Sequence, residues 1–156
     1  MPARPAILAL ASFIAALQLS SSAAAEDGVV RVKSAYSMAV TIARLKEDVA
    51  AKGIQFFGEL DQKALAEKAG VTVRPSTLLQ FGNPPLGTQF INARPEAGLD
   101  WPVRLLVQQD ESGAVWAVYT DFRWIAKRHG LSGAAAAPFE TAAGVIASIT
   151  GSIRGN

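Results

Sequence analysis

A chain of 156 residues, half of them hydrophobic and 18% charged, has the size and balance of one globular domain that buries a core, and leaves little room for a second. Its formal charge of +2 supplies no basic footprint for nucleic acid. The absence of cysteine excludes a disulfide framework, thiol catalysis, thiolate zinc sites and covalently attached haem.

Residues 1–25 read as a signal peptide: Arg4 gives a positive start, Ala6 to Leu19 an apolar stretch, and Ala23-Ala24-Ala25 a small-residue cleavage site. The apolar stretch is shorter than the roughly 20 residues of a spanning helix, although an uncleaved anchor is the alternative. The expectation is export, periplasmic or secreted, with cleavage near Ala25 and no membrane span in the mature chain.

Gly28 to Lys33 alternates apolar and charged residues, the pattern of a half-buried strand. Ser37 then precedes a helix in which Met38, Ile42, Leu45 and Val49 form one apolar stripe, stopped by Gly53. Ile54 to Leu60 reads as a second strand, and Asp61 as the cap of a short helix ending at Gly70. Pro75 blocks helix and leads into a third strand, Thr77 to Phe81. After the octet FGNPPLGT, residues 89–94 are predicted as one or two helical turns. Val103, Leu105 and Val107, then Val115, Ala117 and Tyr119, flank Asp110-Glu-Ser-Gly113 as a hairpin. Asp121 caps a helix whose apolar face carries Phe122, Ile125 and Ala126 and whose last turn carries His129. Residues 132–156 read as a connector followed by a helix with Phe139, Ala143, Ile146, Ile149 and Ile153 on its apolar stripe.

This order of elements predicts a single α+β domain over residues 26–131, with the connector and C-terminal helix after it. Its sheet is expected to be mixed but largely antiparallel, with about five strands and helices packed mainly on one face.

Candidates for chemistry are few. FGNPPLGT lacks the donors of a phosphate cradle, since Pro84 and Pro85 have no N–H, and neither G-x-G-x-x-G nor a Walker motif is present. Gly87 and Thr88 nonetheless offer two N–H donors and a hydroxyl, and Gly82 permits close backbone approach, so the octet is either a stiff turn or a ligand contact. His129 is the sole histidine; without cysteine it cannot anchor a soft-metal site, and no G-x-S-x-G elbow gives it a nucleophile. It can complement a helix C-terminus, or form an acid–base pair with Asp61 or Asp100. Arg104 falls on the strand face opposite Val103 and Leu105, near Trp116, Val118 and Thr120. Tyr119 belongs to an aromatic group of core residues that would also suit a pocket mouth.

Phe81-Gly82-Asn83-Pro84 with Gly87-Thr88, Leu99-Asp100-x-Pro102, Tyr119-x-Asp121 and Arg128-His129-Gly130 together resemble the bacterial family called domain of unknown function 302, from about Arg31 to Leu131. The resemblance implies a compact α+β domain, paired as a homodimer, and implies no reaction. Where the family often carries His and Met, this chain has Gln62 and Ile91, so soft-metal or haem ligation does not carry over. The expected function is a non-catalytic module that binds a small molecule or a partner, with Gly82, Asn83, Gly87, Thr88, Asp100, Arg104, Tyr119 and His129 as ligand-site candidates. The catalytic residues and any cofactor are unspecified, and no metal site is expected. A hydrolase or isomerase using an Asp/His pair, and a homodimeric structural envelope protein, are the alternatives.

Overall fold

The computed structural model describes residues 27–155; the expected signal peptide and its cleavage site lie outside them. Five strands form one sheet in the order β1-β5-β4-β3-β2: β1 (Val29–Lys33), β2 (Gln55–Asp61), β3 (Ser76–Gly82), β4 (Val103–Gln109) and β5 (Val115–Thr120). All four pairings are antiparallel. The α+β architecture is the expected one, but no parallel neighbour pair occurs among the described strands. β1 pairs with β5, the last strand, instead of with β2, which moves to the far edge.

The hairpin of β4 and β5 closes through Asp110, whose amide donates to the Ala114 carbonyl at 2.9 Å. The Asp110 carboxylate also accepts from the Ser112 and Ala114 amides and from the Ser112 hydroxyl. Gly113 takes φ +82°, the left-handed torsion that such a turn assigns to glycine. β2 carries a bulge between Phe56 and Gly58.

Alternation in the strands decides where the core lies. Leu79 and Phe81 of β3, Leu105 and Val107 of β4, and Val115, Ala117 and Tyr119 of β5 point to one face and are buried. That face is covered by α1 (Met38–Ala51), which lies against β2 and β4, and by α5 (Ala137–Gly151), which touches α1, α3 (Pro84–Ala93) and α4 (Phe122–Arg128). α5 is integral to this core: Phe139, Ile146 and Ile149 are buried, and Phe139 stacks on Phe90 of α3 with centroids 4.2 Å apart. On the other face Leu78, Leu106 and Val118 are half-buried and stand in register across neighbouring strands.

α3 is longer than the helical turns predicted at residues 89–94. It begins at Pro84, directly after β3, because Asn83 caps it and the two prolines occupy its first positions, where a missing N–H removes no helical bond. A 3-10 turn (Pro95–Asp100) then leads through a cis Trp101–Pro102 peptide into β4. The remaining short helix, α2 (Gln62–Lys68), starts from Asp61, whose Oδ1 accepts from the Ala64 amide at 2.9 Å.

Candidate functional site

The candidate residues divide into two neighbourhoods joined by Trp101. The first is the start of α3. Asn83 Oδ1 accepts from the Leu86 amide at 3.3 Å, and the Thr88 hydroxyl donates back to the Pro84 carbonyl at 2.9 Å. Both side chains are therefore engaged in building the first turn. Gly82 and Gly87 have a different reason to be glycine. A Cβ on Gly87 would lie 2.1 Å from Trp101 Nε1, and one on Gly82 2.7 Å from the same atom, so the indole rests directly on two stretches of bare backbone. Phe57, at the β2 bulge, closes the other side of Trp101 edge-on at 5.8 Å.

Behind Trp101 lies a cavity of about 40 Å³ whose walls include Phe81, Phe90, Trp101 and Ile146. Ile54, Asn83, Leu86 and Val145 wall this cavity and also an open groove of about 470 Å³ between the start of α3 and α5. Lys52, Thr141, Gly144 and Ser148 form the rest of the groove. The sequence signals for this place are Gly82 and Gly87, on either side of the Asn-Pro-Pro helix start, and Gly144 in the middle of α5; what they do not reveal is that Trp101 is the partner of the first two.

The second neighbourhood is centred on Asp100, at the end of the 3-10 turn. His129, the C-terminal cap of α4, places Nε2 2.8 Å from Asp100 Oδ2, and the Arg128 guanidinium donates to the same oxygen. The Asp100 side chain is 7% exposed and that of His129 11%. Burial alone would raise the Asp100 carboxyl, but the hydrogen bonds from Arg128 and His129, with their charge, outweigh it and hold the group below its ordinary value. Arg104 is exposed on the uncovered face, as its alternation required, and donates to the Leu99 carbonyl at 2.9 Å. Trp116 is not its neighbour, being paired across the strands with Gln108.

Asp100, Arg104 and Tyr119 border a space of only about 30 Å³, room for one or two waters. The Tyr119 ring is buried; burial pushes its phenol up, while a hydrogen bond with Thr150 of α5 works the other way. Asp61, the other carboxylate considered for an acid–base pair, is committed to capping α2 at the end of the edge strand β2, level with Thr77 and Val107 and so at the far end of β4 from Asp100. The fold thus brings Asp100 and His129 together and keeps Asp61 apart. Among the described residues, His129 makes no side-chain hydrogen bond to a serine or threonine hydroxyl, and no group of three His, Asp or Glu side chains is disposed to hold a metal ion.

Comparison with known proteins agrees with this architecture. The profile of the family described as Domain of unknown function DUF302 matches residues 30–149, which takes in every strand and nearly all of α5. The chain belongs to the DUF302 family. A solved member, the crystal structure of an uncharacterized conserved DUF302 protein from Bacillus stearothermophilus, superposes with a TM-score of 0.74 at 18% identity, covering 81% of this chain and 98% of that one. That likeness establishes the shared DUF302 fold. Among curated proteins, the fluoride-specific ion channel FluC 1 of Brucella suis biovar 1 is 39% identical over 106 residues, 68% of this chain and 42% of that protein. FluC 2 of Brucella melitensis biotype 1 is likewise 39% identical over 106 residues, 39% of its length. The chain spans about two fifths of the length of the curated relatives it matches.

Proposed function

We propose that this DUF302 domain is an exported, non-catalytic module that binds a small ligand in the groove between the start of α3 and α5. The observation that carries the reading is the adjacency of that groove, about 470 Å³, to the apolar cavity behind Trp101, the two sharing Ile54, Asn83, Leu86 and Val145 in their walls. The groove's size falls within the roughly 300–1,000 Å³ typical of ligand sites, and its mainly apolar lining with a few polar groups at the rim is their usual chemistry.

The acid–base alternative draws on the Asp100–His129 contact at 2.8 Å. Against it stand the low exposure of the two side chains, 7% and 11%, and the small size, about 30 Å³, of the space that Asp100 borders, which favour a latch between α4 and the turn before β4. Fluoride conduction is not carried to this chain by its curated relatives. The match covers under half of each of them, and no helix among the described residues is long and apolar enough to cross a membrane.

A thermal-shift panel of nucleotides, metal ions, haem and small organic acids tests the binding reading. A true ligand at 100 times its Kd should add about 2.7 kcal/mol of stability. The gain should vanish in Gly144→Leu, whose side chain would occupy the groove. A panel without a hit on the wild-type protein removes the reading.

A second role rests on a separate observation, the uncovered face of the sheet. Leu60, Leu78, Leu106 and Val118 lie in register across four adjacent strands, and Leu60 is 45% exposed. Such a row supports pairing of two copies through their sheets, the homodimer that the family resemblance suggested.

A further inference from the structure

Taking the binding reading as its starting point, we propose that the groove between α3 and α5 accepts one unbranched aliphatic chain ending in a carboxylate. The inner end sets the shape. The cavity of about 40 Å³ is walled almost wholly by apolar side chains, which offer water few hydrogen-bond partners, so a terminal methyl or methylene group entering it gains dispersion contacts. A ring does not fit: an empty site that takes benzene measures roughly 150 Å³. Ile54, Leu86 and Val145 with Asn83 line both cavity and groove, so displacing one of these side chains would join the two by a route suited to a slender chain.

The outer end sets the head group. Lys52 and Ser148 line the groove and contribute an ammonium and a hydroxyl. Asn83 adds its amide NH2, because its Oδ1 is turned to the Leu86 N–H. No Asp or Glu belongs to the lining. The Lys52 ammonium is held by Asp48 at 2.6 Å in an exposed pair, the kind that a competing carboxylate can displace at little cost. An acceptor-only carboxylate complements this set of donors.

Gly144 supplies an independent handle. It lies inside α5, where glycine weakens a helix, yet a Cβ there would meet nothing within 4 Å. Packing within the chain does not require glycine at that position; a clear groove does.

The test is calorimetric titration of the purified protein with decanoate below its micelle concentration, decanol below its solubility limit and 3-phenylpropionate, with the difference in tryptophan fluorescence between the wild-type protein and Trp101→Phe reporting the surroundings of Trp101, one of three tryptophans. Decanoate should bind, and decanol and 3-phenylpropionate should each bind at least 10-fold more weakly. Gly144→Leu should lose decanoate by at least 100-fold. Lys52→Met, an exposed change that leaves the core alone, should weaken decanoate about 10-fold and leave decanol unchanged. Equal affinities for decanoate and decanol, tighter binding of 3-phenylpropionate, or decanoate binding indifferent to both substitutions would overturn the proposal. If decanoate fails while another compound of the thermal-shift panel binds and is lost in Gly144→Leu, the aliphatic carboxylate falls and the groove stands. If nothing binds, both fall.

Discussion

At the scale of single residues, one glycine, Gly87, and two aspartates, Asp110 and Asp100, set local stability. Gly87 is fixed by Trp101: a methyl group 2.1 Å from the indole nitrogen forces the ring off its seat. Gly87→Ala should therefore lower stability by about 1–3 kcal/mol, the usual range for overpacking, measured by urea denaturation; an unchanged midpoint would mean that the indole moves freely. Asp110 lies well below the ordinary carboxyl value of 3.8, at about 2, mainly through the Ser112 hydroxyl and then the Trp116 indole N–H. A carboxylate depressed in the folded state stabilises it above the unfolded pKa and ceases to do so as pH falls through the folded value. Asp110 should thus contribute fully above about pH 4 and lose its contribution towards pH 2, with Asp100, also lowered, adding in the same direction. Asp110→Asn should flatten the fall in melting temperature between those pH values, and an identical slope would refute the assignment.

At the scale of elements, α3 shows how a local signal was present and misread. Asn-Pro-Pro after a strand is a helix start: the asparagine caps, and the prolines fill positions whose N–H groups have no helical partner. Read only as missing phosphate donors, those prolines hide the helix start, which lies at Pro84, five residues before the expected Gln89. Asn83→Ala should remove about 1 kcal/mol of stability through the lost cap, visible in chemical denaturation. Gly144→Ala in α5 should add up to about 1 kcal/mol, since its Cβ meets nothing. The opposite signs of these two changes, at two walls of one groove, separate helix energetics from ligand effects. α1, by contrast, was legible throughout, because Leu45 and Val49 repeat at helical spacing and are buried as that spacing requires.

At the scale of the whole molecule, the single uncovered sheet face invites a partner. If two copies meet there, sedimentation at micromolar concentration should show a dimer, and Leu106→Lys, at the middle of the apolar row, should weaken it at least 10-fold while leaving the melting curve of the monomer cooperative. A wild-type monomer at that concentration would reject the pairing. The same face explains why the strands were easy to find: one side buried and the other half-exposed produces period-two alternation.

Short-range periodicity, caps and turn residues were enough to read the five strands, the α+β class and the face on which each strand side chain lies, and the motif order was enough for the family; the start of α3 was the exception. The folded chain alone reveals that β1 pairs with β5, that Asp100 meets His129 across 29 positions of chain, and that the glycines of the octet seat Trp101. Those are contacts between segments distant in sequence, and residue spacing along one segment carries no information about which other segment will pack against it.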